Sequence, residues 1–352
     1  MWLSRSCLGD ITNHGVIMAL KIDFEEENKE QLNPDTPNAM GGTELAQKWL
    51  FNRLDPELKD YFQFVASRKR KLEDKPRLFW VHDLAQDPEV EFLKEHKNML
   101  EFEKIVFVSH WQQYQYGVYL GVPYDHGVVV QHAIDPIPEH EKPKDKINCV
   151  YFSTPHRGLE VLLEAWSEMK KRYPSEAVDS AELNIFSSFK IYDRPHMDEQ
   201  FRHVYQKAKD MPQVNYSGSV PNEDIRKNLE NMHILAYPST YMETACITAL
   251  ESLSAKCLAV IPNLAALPET TANFAWMYIY EPAPERHVAV HAHILSRAID
   301  NYWAEETQSL LNVQKQYFDI FYNWDLRANQ WNSFLNGLKM GIEEKKKQND
   351  TT

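Results

Sequence analysis

The stretch HILAYPSTYMETACITALESLSAKCLAVIP, His233 to Pro262, holds a strand, a loop, a helix and a second strand in order. HILAYPS and CLAVIP are short apolar runs bounded by turn residues, the pattern of strands buried on both faces of a sheet. Between them, Thr244 to Ala255 reads as a helix of small and apolar residues. Two glutamates interrupt this run, Glu243 after the strand and Glu251 inside the helix. A carboxylate is costly to bury unless something pairs with it or hydrogen-bonds to it. At ~100° per residue the two lie about 80° apart after two turns, on one side of the element.

The same alternation fills the chain. ALKIDF (Ala19–Phe24), YFQFVAS (Tyr61–Ser67), RLFWVHD (Arg77–Asp83), KIVFVS (Lys104–Ser109) and GVVVQ (Gly127–Gln131) read as buried strands. Helices are expected at Gly42–Leu54, Pro88–Leu100 and His110–Leu120. DPIPEHEKPKDK, Asp135 to Lys146, is rich in proline and charge, and reads as a linker. Beyond it come strands INCVYFS, ELNIFSS, QVNYSG, HILAYPS, CLAVIP and WMYIYE. Helices near Gly158–Arg172, Glu199–Lys209, Asn222–Asn231 and Thr244–Ala255 separate them, and the last ~60 residues read as helical. The fold class is therefore α/β: two parallel-sheet domains, residues 1–140 and 147–315, facing a cleft at the carboxyl ends of their strands.

Composition bounds the function. The 352 residues are 43% hydrophobic and 25% charged, a globular make-up. The formal charge of −13 argues against nucleic acid. No apolar run approaches the roughly 20 residues of a membrane span. Arg5, Asp10, Asn13 and His14 break the amino-terminal stretch, a poor signal peptide, so a cytoplasmic location is expected. Cys7, Cys149, Cys246 and Cys257 form no CxxC pair and read as free thiols. The run Arg68–Lys71 meets an anionic acceptor or lipid surface, or is a solvated loop diluted by Glu73 and Asp74.

Four segments carry candidate chemistry. Gly41 and Gly42 open a helix, either as a close-approach loop for a ligand or as a plain entry turn. His82 and Asp83 end a strand, as a polar cleft wall, a metal site or a merely structural pair; a metal would want further ligands. In YFSTPHRGLEVLLEAW, Arg157 stands at the mouth of a strand–loop–helix unit, placed for a phosphate or simply exposed. Thr244, Ala245 and Cys246 are expected in the first turn of the Glu251 helix, leaving amides open to a diphosphate, with Glu243 at the mouth and Glu251 deeper.

The E-x7-E pattern after a strand resembles the signature of retaining glycosyltransferases of family four, which have the GT-B fold of two Rossmann-like domains. GGTE, SHWQQYQYG (Ser109–Gly117), QHAID (Gln131–Asp135), HRGLEVLLEAW, YSGSVPNEDI (Tyr216–Ile225) and ALPET (Ala266–Thr270) resemble that family's other elements in the same order. The resemblance implies that Glu243 contacts the transferred sugar and that Glu251 binds the donor ribose. Arg157 and the amides of Thr244–Cys246 then stabilise the leaving diphosphate, with Ser153 on the donor side. Gly41, Gly42 and His82 line the acceptor side, His82 close to the donor sugar, and Glu269 is a further candidate. It implies a nucleotide-sugar donor, a glycan, lipid-linked or other hydroxyl acceptor, no cofactor and no metal, and at most peripheral membrane contact. It also implies that the helix at 323–345 crosses back to the first domain, burying Trp331 there. Arg157 stands where the family has lysine. The family's upstream arginine is replaced near Ser153 and Thr154, and Lys190 is the candidate for the missing cation. Two other readings stay open: another enzyme on this scaffold, such as an epimerase or phosphorylase, and a non-catalytic binder of sugar nucleotides or glycans.

Overall fold

The structure, a computed structural model, describes residues 41–69 and 71–350. The strand expected at Ala19–Phe24, Cys7 and Arg70 lie outside the described residues. The first lobe opens with helices α1 (Gly42–Phe51) and α2 (Pro56–Tyr61). Strands β1 (Gln63–Ala66), β2 (Arg77–Trp80), β3 (Lys104–Phe107) and β4 (Gly127–Val129) then pair in chain order, all parallel. Helix α3 (His96–Met99) precedes β3, and α4 (His110–Leu120) carries the chain from β3 to β4. Leu78, Phe79, Trp80, Ile105, Val106 and Phe107 are fully buried, as a strand covered on both faces requires.

The second lobe has six parallel strands: β5 (Asn148–Phe152), β6 (Glu182–Phe186), β7 (Val214–Tyr216), β8 (Ile234–Ala236), β9 (Leu258–Pro262) and β10 (Trp276–Tyr278). Their order across the sheet is β10-β9-β8-β5-β6-β7. The winding reverses between β5 and β8, so the crevice for a ligand opens at the carboxyl ends of those two strands. The connections are α5 (Leu159–Arg172), α6 (Glu176–Ser180), α7 (Arg202–Asp210), α8 (Asn222–Leu229), α9 (Ile247–Ser254) and α10 (Leu267–Thr270). Leu159, Leu162, Leu163 and Trp166 of α5 are buried in the core of the second lobe.

Two expected helices differ. Pro88–Leu100 is a 3-10 turn, Pro88–Lys94, followed by α3, because Glu95 between them is extended. The helix expected from Thr244 begins at Ile247: Cys246 before it is extended, at φ −133° and ψ 92°.

Three helices end the chain: α11 (Pro284–Asn301), α12 (Glu305–Phe321) and α13 (Trp324–Asp350). α13 crosses to the first lobe. Trp324, Trp331 and Leu335 complete a core with Leu50, Trp80 and Val106, and the Trp331 ring lies 5.2 Å from Trp80 and 5.9 Å from Phe64. The linker is tied down: Ile134 pairs with Asn323, its N–H donating to the Tyr322 carbonyl at 2.8 Å, and Ile137 donates to Ser254 Oγ at 2.9 Å.

Candidate active site

The crevice at the β5–β8 reversal is built by two loops that touch. Gly158 follows β5 with φ +110°, and a Cβ there would stand 2.1 Å from the Pro238 carbonyl oxygen after β8. Only glycine permits both the left-handed backbone and this approach. The short 3-10 turn Pro155–Arg157 thereby aims Arg157 across the gap. Its Nη1 donates to both Glu243 oxygens at 2.7 Å, and its guanidinium lies 4.5 Å above the Tyr241 ring. The Tyr237 hydroxyl donates to Glu243 Oε1 at 2.6 Å and sits 3.4 Å from Ser153 Oγ. Burial works against the Arg157 charge, but Glu243 beside it holds the guanidinium well above its ordinary value.

On this pair and the turn that carries it lie buried polar atoms with no hydrogen-bond partner among the described residues: Thr154 Oγ1, His156 Nδ1 and Arg157 Nε. Such atoms are rare in protein interiors and are met by ordered water or by a ligand. The His156 ring stacks on Phe189 at 5.4 Å and meets the edge of Tyr241 at 5.6 Å. Burial, with Arg157 beside it, pushes the His156 imidazole down to about 3, so it is neutral at pH 7.

Glu251 has other partners. Asn222 Nδ2 reaches both its oxygens at 3.2 Å, and Arg226 Nη1 lies 3.1 Å from Oε1. Burial raises its carboxyl, and Arg226 and Asn222 draw it back. Arg226 also donates through Nη2 to the Asp135 carbonyl at 2.6 Å, and the Asp135 carboxylate meets Arg53, in the turn after α1, at 2.6 Å. Glu251 is thus wired to the linker. The two glutamates do not share a helix side: Glu243 precedes the helix, and its carboxylate turns to Arg157 while that of Glu251 turns to α8.

Thr244, Ala245 and Cys246 form the approach to α9 rather than its first turn. The Thr244 hydroxyl is committed to the other lobe, donating to the His82 carbonyl at 2.8 Å, while its carbonyl accepts from Ser109 Oγ at 2.6 Å. Cys246 is buried, as are Cys149 and Cys257. The glycine loop also meets the second lobe. A Cβ on Gly41 would strike Tyr192, and one on Gly42 would lie 3.4 Å from Ile247 Cδ1, at the start of α9. Lys190 is exposed on the turn Phe189–Tyr192, which carries that Tyr192.

His82 stacks on His132 at 5.2 Å, with an interplanar angle of 19°. Burial holds both imidazoles low, His132 at about 4. Beside His82, burial and Asp87 push Asp83 up to about 6. No three histidine, cysteine or acidic side chains converge for a metal among the described residues. In the basic run, Arg68 lies near Asp87 and Glu89, and Lys69 meets Glu101 at 2.5 Å.

Residues 131–301 match the family described as Glycosyl transferases group 1. The chain is a glycosyltransferase. Its GT-B fold is shared with solved structures of low sequence identity. A glycosyltransferase from Rickettsia africae ESF-5 aligns with TM-score 0.63 at 15% identity, covering 86% of this chain and 83% of that one. The Anabaena protein Alr3699/HepE, solved with UDP-glucose, aligns with TM-score 0.58 at 13% identity, covering 75% and 72%. Sucrose-phosphate synthase from Thermosynechococcus elongatus gives 0.58 at 12%, covering 76% and 69%. No curated protein matches the chain.

Several polar residues around this crevice and seam were not singled out from sequence: His132, Tyr237, Tyr241, Arg226 and Asn222. The last two had a signal. They lie four apart at the start of α8, on one helix face, directly after the segment YSGSVP.

Proposed function

We propose that this glycosyltransferase moves a sugar from a nucleoside-diphosphate sugar to an acceptor hydroxyl with retention at the anomeric carbon, as a member of family four. The observation that carries the reading is Arg157 at the strand-order reversal, with buried polar atoms without partners on it and on the turn that carries it. UDP ligands in neighbours such as HepE make a uridine diphosphate sugar the first donor to test.

As the glycosidic bond breaks, negative charge grows on the diphosphate and the sugar becomes oxocarbenium-like. Arg157 and the first amides of α9 answer the diphosphate charge as preorganised donors. Glu243, fixed by Tyr237, faces the sugar, and Glu251 with Asn222 takes the ribose hydroxyls. The His82 edge and the Gly41–Gly42 loop close the acceptor side, Ser153 and Lys190 serve the donor, and the leaving phosphate takes the acceptor's proton. The transfer needs no metal in this reading, so EDTA leaves it intact. No helix among the described residues is long and apolar enough to cross a membrane. A cytoplasmic enzyme acting on a glycan or lipid-linked acceptor fits.

The internal pairs Arg157–Glu243 and Arg226–Glu251 favour a second reading, a binder that holds a sugar nucleotide without turning it over. One experiment separates the two. Nucleotide sugars are screened by thermal shift, and the stabilising one is assayed for transfer, with the anomeric configuration of the product read by NMR. Arg157→Ala is expected to lower turnover by about 10²–10³. Stabilisation with no transfer or hydrolysis by the native chain would favour the binder, and an inverted product would remove the retaining assignment.

A further inference from the structure

Glu269 sits in the second lobe on α10, yet its carboxylate is bound by the first. The N–H groups of His110 and Trp111 donate to Oε1 at 2.9 Å and Oε2 at 3.1 Å, and Gln131 Nε2 donates to Oε1 at 3.1 Å. His110 and Trp111 open α4, capped by Ser109, whose side chain accepts from the Gln112 N–H. Helix N-termini hold negative charge through unpaired N–H groups and the aligned peptide dipoles. Here that charge comes from the opposite lobe.

The same seam carries the Thr244 contacts to His82 and Ser109. The seam holds a ~10 Å³ void lined in part by Ser109, His132, Ala245, Glu269 and Tyr322. Thr244 follows Glu243 directly. Seating Glu269 on α4 therefore also seats the loop that carries the Glu243 carboxylate.

We propose that Glu269 is a positioning residue for transfer: its carboxylate, docked on the α4 N-terminus, holds the two lobes closed with the Glu243 loop in register against His82. This rests on the function proposed above. The donor contacts assigned to Arg157, Glu251 and Asn222 lie within the second lobe. Losing the latch therefore leaves nucleotide affinity in place and removes the closed arrangement needed for reaction.

The test uses the full chain. Glu269→Ala is compared with the native protein by small-angle X-ray scattering, by UDP titration and by steady-state transfer. A larger radius of gyration, a UDP Kd within about threefold, and kcat lowered about tenfold or more are expected, as a closing equilibrium loses one charge-assisted clamp. Glu269→Gln keeps one oxygen on the helix and should fall between. His110→Pro provides a second route should the alanine variant fail to fold. Proline is tolerated at a first helical position, and Ser109 already has the extended backbone a following proline wants, at φ −157° and ψ 158°. It deletes one donor to Glu269 and leaves the carboxylate intact, so kcat should fall with UDP binding unchanged. Unchanged scattering and kcat in Glu269→Ala and His110→Pro would overturn the proposal, as would a UDP affinity that falls in step with kcat. Should the native chain transfer no sugar, the functional reading fails, while the scattering comparison still decides whether Glu269 clamps the lobes.

Discussion

Replacing Glu243 by glutamine removes the anion that Arg157 now holds while keeping an oxygen for Tyr237. A diphosphate gripped by Arg157 would bring its own charge to within about 5 Å of that carboxylate. At an effective dielectric constant of ~20, two unit charges so placed repel by about 3 kcal/mol. Solvent at the mouth screens part of this, since the Arg157 side chain is 21% exposed. We expect Glu243→Gln to bind UDP about tenfold more tightly, or better, while transfer falls because the sugar loses its carboxylate. Without ligand the variant should be less stable, by at most ~3 kcal/mol, because a largely buried guanidinium has lost its counter-charge. Saturating UDP should then restore more melting temperature to the variant than to the native protein. Calorimetric titration and thermal melts measure both. A folded variant with unchanged or weaker UDP affinity would show that Arg157 is not the diphosphate seat.

Two further outcomes follow from the geometry. Gly158→Ala forces a Cβ to 2.1 Å from the Pro238 oxygen on a left-handed backbone, so it should destabilise by about 3 kcal/mol or more and weaken UDP binding together; a melting temperature within a degree of the native value would contradict this. His233 is fully buried, accepting from the Asn148 N–H at Nδ1 and facing the Pro143 carbonyl with Nε2, each at 2.9 Å. Burial holds it at about 4, below the unfolded value of 6.5. Its contribution to stability is therefore present above about pH 6.5 and is lost as pH falls toward 4, up to ~3 kcal/mol in all. His233→Gln should flatten melting temperature against pH over that window, and an unchanged slope would refute the assignment.

The sheets were legible because the inner strands β2, β3, β5, β8 and β9 are short buried runs, and such runs announce themselves one at a time. E-x7-E also pointed to the loop after β8, where the Glu243 carboxylate meets Arg157 at the strand-order reversal. What escaped was whatever depends on distant neighbours. Arg157 lies 86 residues from Glu243 and Arg226 lies 25 from Glu251, so the helical wheel that aligned the two acids had no means of weighing these partners. The start of α9 was misplaced for a similar reason. Thr244 is small enough for a first helical turn, but its hydroxyl is drawn to His82, 162 residues away, and the approach to the helix stays extended. Glu95 broke the Pro88–Leu100 helix without a proline or glycine to give warning.

The core of the first lobe borrows Trp324, Trp331 and Leu335 from α13. Those side chains leave the ribosome only after the whole second lobe. The nascent first lobe must therefore wait, with the Trp80 side of its sheet covered in part by Leu50 and its neighbours, until the second lobe has been translated. Chaperone demand during synthesis should thus concentrate on the earlier-made half, the reverse of the usual order in which the leading unit folds while its successor is still being made.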